Sequence, residues 1–135
     1  MARADKEEPM RYAILCYHDE AAVGALTKKQ EDALMADLAV VRQELIAEGK
    51  LGPVARLMPT TASTTLRAGA EPLVIDGPFA ETKEALLGFY VVECATLEEA
   101  IDVARRLMVP RTAAGLSSAL EIRPISIFQP AGGAA

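Results

Sequence analysis

Two segments of this chain are apolar on both sides, and that limits its fold more than any other feature. Residues 86–94 read Leu-Leu-Gly-Phe-Tyr-Val-Val-Glu-Cys. In an extended strand, Phe89 and Val91 point one way and Tyr90 and Val92 the other. Residues 11–18 repeat the pattern, with Tyr12, Ile14 and Cys16 opposite Ala13, Leu15 and Tyr17. A strand with one wet face alternates apolar and polar residues; these two do not, so both belong in the middle of a sheet covered on both faces.

Two helices are marked by their starts. Thr27-Lys28-Lys29-Gln30 has the form of a capping box, and Leu34, Leu38, Val41 and Leu45 follow at helical spacing before Gly49, a left-handed stop. Thr96-Leu97-Glu98-Glu99 is a second box, followed by a face of Leu97, Ala100, Ile101, Ala104 and Leu107, and this helix is expected to end before Pro110. Residues 51–58 form a strand that Pro53 confines to an edge or a bulge. Residues 63–67 and 73–75 flank a loop as a hairpin, and residues 120–128 close the domain as a strand with an edge or bulge at Pro124. The order is strand, helix, strand, hairpin, strand, helix, strand. This is an α+β, ferredoxin-like βαββαβ pattern with an added β-hairpin.

In that fold both helices lie on one face of the sheet, so the other face needs a different cover. Leaving its apolar side chains wet forgoes roughly 1.5 to 3 kcal/mol apiece. The expectation is a homodimer with sheets packed face to face, through one parity of residues 12–16 and 89–92. The alternative cover is the hairpin or the tail.

A length of 135 residues, 51% apolar, suits one domain, expected over residues 10–128. Residues 1–9 and 129–135 are expected to be flexible. No run approaches the roughly 20 apolar residues that span a bilayer, and the start has no apolar signal core, so no membrane association and a cytoplasmic location are expected. A net charge of −5 without a basic stripe argues against nucleic acid. Cys16 and Cys94 lie in apolar strands outside any Cys-x-x-Cys pair and read as reduced core residues.

The run Asp76-Gly77-Pro78-Phe79-Ala80-Glu81-Thr82-Lys83-Glu84 carries a family resemblance. With the opening Met10-Arg11-Tyr12, Leu66-Arg67, Gly88-Phe89-Tyr90 and Glu121-Ile122-Arg123-Pro124, it resembles the DGPF branch of the YCII-related family over residues 10–125. The resemblance implies the dimeric α+β barrel fold. It also implies either small-molecule enzyme chemistry, by analogy with lactone isomerases, monooxygenases and a dehydrochlorinase of that fold, or a regulatory role beside a sigma factor. The short YCII branch looks like it uses a histidine on the first helix and an Asp-Pro after the second. Residues 27–48 hold no histidine and the second position reads Met108-Val109-Pro110, so that pair is not carried over.

The candidate chemistry centres on His18 and Asp76. His18 is the single histidine of the chain and ends the first strand, so a multi-histidine metal site within one subunit is excluded. A carboxylate from Asp76 or Asp19 beside it would make it a general base; otherwise it is a surface residue at a strand terminus. Asp76-Gly77-Pro78 is a turn by composition, and it can also hold the Asp76 carboxylate at a pocket lip beside Phe79. Lys83 can counter a substrate carboxylate or phenolate, or be a solvated loop charge; Tyr17 and Tyr90 can be phenolic donors or packing residues. No nucleophile elbow, phosphate loop, metal or cofactor motif is seen. The expectation is cofactor-independent proton transfer or elimination on a small acidic or phenolic molecule, catalysed by His18 and Asp76 with Phe79, Lys83, Tyr17 and Tyr90 binding substrate. The alternative is a non-catalytic ligand-binding or regulatory module, such as a sigma-factor partner.

Overall fold

The computed structural model describes residues 10–132. Residues 1–9 and 133–135, which hold the expected extension and the end of the expected tail, lie outside the described residues. Strands β1 (Met10–Asp19) and β5 (Glu84–Cys94) pair antiparallel in the middle of a four-stranded sheet. The edges are β2 (Leu51–Arg56), beside β5, and β6 (Ser118–Pro124), beside β1. The sheet is antiparallel throughout and open, and its order β2-β5-β1-β6 is that of a ferredoxin-like fold. Helices α2 (Lys28–Ala47) and α3 (Leu97–Ala113) pack on it, and a short α1 (Glu20–Gly24) follows β1 directly. The added hairpin, β3 (Thr64–Arg67) with β4 (Leu73–Asp76), is a separate two-stranded sheet.

Period two decides which side chains form the core. Tyr12, Ile14 and Cys16 of β1 and Tyr90, Val92 and Cys94 of β5 face the helices, and all are buried. Leu34, Leu38 and Leu45 of α2 and Ala100, Val103, Ala104 and Leu107 of α3 close over them, while Leu97 stays exposed at the first helical position. Cys16 and Cys94 are free buried thiols; their strands are neighbours, but Cys16 lies opposite Gly88 and Cys94 opposite Met10. No helix among the described residues is long and apolar enough to cross a membrane.

The first helix start forms the full capping box and the second only half of it. Thr27 Oγ1 accepts from Gln30 N at 3.1 Å and Gln30 Oε1 accepts from Thr27 N at 2.8 Å. In the second, Glu99 N donates to Thr96 Oγ1, but the Glu99 carboxylate reaches one residue further back, to Ala95 N. Pro53 lies on an edge strand at a register shift between Leu51 and Val54.

Two boundaries differ from expectation. Helix α3 runs through Pro110 to Ala113. The proline forgoes one backbone bond, yet Pro110 and Arg111 continue the buried face, and Arg111 Nη1 donates back to the Leu107 carbonyl at 2.6 Å. Burial outweighs the local penalty. Strand β6 spans Ser118–Pro124 rather than residues 120–128, because Pro124 already lies opposite Tyr12, near the start of β1. Beyond it, Ile125 N donates to Arg11 O, and the Arg11 guanidinium sits 4.7 Å from the centre of the Phe128 ring.

Gly88 lets β2 come close to β5: a Cβ there would lie 2.8 Å from the Ala55 carbonyl oxygen. Since the obstacle is backbone, Gly88→Ala must displace β2 from β5. The expected loss of stability is about 1–3 kcal/mol in urea unfolding, and an unchanged midpoint would show that β2 yields freely.

Candidate functional site

The two central strands slip in register between Cys16 and Tyr17, so that Cys16 pairs with Gly88 and Tyr17 with Leu86. A thiol opposite a glycine leaves the floor of the sheet low at this point. Above it, between the sheet, α1 and α2, lies a cleft of about 630 Å³. Leu34, Leu38, Val54 and Leu116 give it apolar walls, and His18, Glu20, Arg42, Arg56, Tyr90 and Arg111 are its polar lining.

His18 is the last helix-facing residue of β1 and is 8% exposed. Its cross-strand neighbour on β6 is Ser118, and Nδ1 lies 2.8 Å from Ser118 Oγ. The other ring nitrogen, Nε2, has no partner among the described residues. Since no enclosed side-chain nitrogen or oxygen among the described residues lacks a partner, Nε2 is open rather than sealed in. Burial, then the charges of Arg111 and Arg56, lower the pKa of His18 from its ordinary 6.5 to about 4, so the imidazole is neutral near pH 7.

Two of the charged groups that line the cleft, Glu20 and Arg56, are engaged. Glu20 accepts from Thr60 N at 2.8 Å and from Thr60 Oγ1 at 2.6 Å, using both carboxylate oxygens. Arg56 pairs with Glu31 of α2 at 3.2 Å, on the exposed side. Arg111 is 6% exposed and among the described residues meets only neutral groups: Nη1 donates to Leu107 O, and Nη2 to the Tyr90 hydroxyl at 3.2 Å and, weakly, to Cys16 Sγ at 4.0 Å. The Cys16 thiol stays protonated, because burial raises its pKa more than Arg111 lowers it.

Of the residues singled out from sequence, His18 and Tyr90 meet at this cleft. Asp76 ends β4 and is exposed, and no hydrogen bond or ion pair joins it to His18. Phe79 is 75% exposed and Lys83 is also exposed, both in the loop between β4 and β5. Tyr17 points to the opposite face of the sheet, outside the cleft lining. The Asp76-Gly77-Pro78 turn closes the hairpin: Gly77 adopts φ +115°, its N–H donates to Ser63 O, and its carbonyl accepts from Thr65 Oγ1. Sequence reasoning missed Arg42, Arg56 and Arg111. For Arg111 a signal existed, since it continues the Ala100, Val103, Ala104, Leu107 spacing as a charge on an apolar stripe. Among the described residues no group of His, Cys, Asp or Glu could hold a metal ion.

The sequence matches the model of the YCII-related domain over residues 10–126. It is also 50% identical over 122 residues to "Uncharacterized protein R00369" of Rhizobium meliloti (strain 1021), covering 90% of this chain and 96% of that one.

His18 allows a direct check, because no other histidine signal interferes. Its NMR titration should centre near pH 4 in the native protein. Because the native pKa lies below the unfolded value, protons favour the unfolded chain, and stability should fall as pH drops from about 6.5 toward 4. In His18→Gln that part of the decline should vanish; a native midpoint at 6.5 would contradict the buried neutral ring.

Proposed function

The chain belongs to the YCII-related family, and from that premise we propose that it is a cofactor-independent enzyme in which His18 moves a proton on a small acidic or phenolic molecule held in the cleft. The observation that carries this reading is the state of His18: neutral, buried, fixed through Nδ1 and open at Nε2. In the tautomer that donates Nδ1–H to Ser118, Nε2 holds a lone pair and can accept a proton. Ser118 is both donor and acceptor, so it supports either tautomer and lets the ring return the proton at the same atom. The apolar walls favour a small molecule with an apolar body, and the arginines favour a negative end.

Phenylpyruvate, a carboxylate with an acidic C–H beside a ketone, is a suitable first probe in heavy water. Wild-type protein should accelerate loss of the methylene proton signal, and His18→Asn should lower that rate about 100-fold or more. The rate constant kcat/KM should rise with pH through about 4 and stay level above it, because the free protein's base is active once deprotonated. Equal exchange with and without His18 would remove the catalytic reading.

We further propose that the working unit is a homodimer. Ala13 and Leu15 of β1 lie half-buried on the sheet face away from the helices, a small apolar patch flanked by Glu121 and Arg123 of β6. The β3–β4 hairpin also leaves Leu66 and Val74 67% exposed as a cross-strand pair. A free two-stranded hairpin is barely stable in water, so both surfaces favour a second copy as cover. Sedimentation equilibrium should give twice the chain mass at micromolar concentration, and Leu15→Arg should shift it to monomer. A monomer mass unchanged by concentration in the wild type would end the dimer reading.

A further inference from the structure

A buried arginine is ordinarily matched by an acid, since a charge withdrawn from water is costly unless something of opposite sign replaces the lost hydration. Arg111 breaks this rule. A guanidinium is a cation with no acceptor of its own, yet the partners of this one are a carbonyl, a phenol and a thiol. Of its five N–H groups these partners occupy three, and two remain. One of these is on Nε, which is not enclosed, by the same reasoning that applies to His18 Nε2. The charge also lies against the ring of Tyr90, 5.7 Å from its centre, which orients it without neutralising it.

The surroundings make a chance arrangement implausible as an end state. Arg111 on α3, Arg42 on α2 and Arg56 on β2 all line the cleft, and Arg42 is in no ion pair among the described residues. The acid among the lining residues is Glu20 on α1, and Thr60 occupies its oxygens. The cleft is therefore short of negative charge, and the most deeply buried excess positive charge stands at Arg111.

We propose that Arg111, with the Tyr90 hydroxyl beside it, anchors the carboxylate of a small monoanionic ligand in the cleft, and that seating this anion readies His18 to take up a proton. This deepens the functional reading above and rests on its cleft. The anchor fixes one end of the ligand, and His18 Nε2 faces what lies beyond. The linkage follows from charge. The polar and titratable groups that share the cleft with His18 are Arg111, Arg56 and Arg42, the phenol of Tyr90, the thiol of Cys16 and the engaged carboxylate of Glu20, and Ser118 is bonded to its Nδ1. Two of these arginines depress its basicity in the empty cleft. An anion at Arg111 cancels the larger of the two charge effects, so the ring becomes a stronger base when substrate is present and stays neutral when it is not. Arg111 is thus a binding residue, and through its charge a positioning residue for the proton.

Benzoate and its neutral analogue benzamide test this with the full-length protein. Calorimetry at pH 6 should show benzoate binding at least tenfold tighter than benzamide. With the permanently anionic benzenesulfonate at saturation, the NMR midpoint of His18 should move up from about 4 by roughly one unit. Arg111→Met should abolish the preference for benzoate and, by removing a neighbouring cation, raise the ligand-free His18 midpoint. Should Arg111→Met fail to fold, Tyr90→Phe keeps the packing and should weaken benzoate relative to benzamide. Benzoate binding that perturbs His18 but is unchanged in a folded Arg111→Met, or in Tyr90→Phe where the first variant does not fold, would overturn the anchor and leave the cleft reading intact. If neither benzoate nor benzamide perturbs the His18 signal at millimolar concentration, the anchor and the cleft reading both fall.

Discussion

The buried antiparallel pair of β1 and β5 is the interaction on which the rest of the structure depends. Its helix-facing side chains, from Tyr12 to Cys16 and from Tyr90 to Cys94, are the floor onto which α2 and α3 dock. Where that floor carries large side chains, the helices close over it and leave no space. Where it carries Cys16 opposite Gly88, it sinks, and His18, the next residue of β1 on the same face, borders the hollow. The cleft is a consequence of one small pair in an otherwise bulky strand ladder. Gly88 therefore has two duties: it lets β2 approach to backbone contact, and it leaves room above.

Charge is distributed against the overall sign of the protein. The chain carries a net −5, yet the polar lining of its cleft holds three arginines against one carboxylate. Low-dielectric walls focus such a field, because little water is present to screen it. Exposed arginines on the outside are neutralised cheaply: Arg106 meets Glu44 and Glu48, and Arg123 meets Glu121, in pairs that contribute little to stability. Net charge argues about partners for the whole surface; it says nothing of what a recessed cluster attracts.

The architecture was legible because it rests on short-range rules. Period two separates the faces of β1 and β5, the threonine boxes start both long helices, and Pro53 marks an edge, each from adjacent residues. The site was only half legible because it rests on none. His18 stood out as a lone histidine at a strand end and Tyr90 as a phenol on the central strand, and both line the cleft. Arg42, Arg56 and Arg111 come from separate elements and share no spacing. Arg111 was further hidden by Pro110, whose usual meaning is that the helix has stopped. Reading the apolar stripe past the proline places Arg111 on the buried face, and a charge in that position is the stronger signal of the two.

The most recognisable motif and the cleft are accordingly built on different demands. Asp76-Gly77-Pro78-Phe79 is patterned because a backbone must turn there: Gly77 holds a left-handed φ that side chains resist, and its N–H and carbonyl tie the hairpin's ends through Ser63 and Thr65. Such a turn tolerates few sequences, so it is conspicuous. An arginine meeting a phenol across a cleft constrains one residue on each of two elements and leaves no local pattern. Conspicuousness in a sequence measures how tightly the backbone is constrained, whereas chemistry in this fold depends on which isolated charges are left without partners. That is why the loop stands out in the sequence while the unmatched Arg111, in the same cleft as a neutral His18, carries the chemistry.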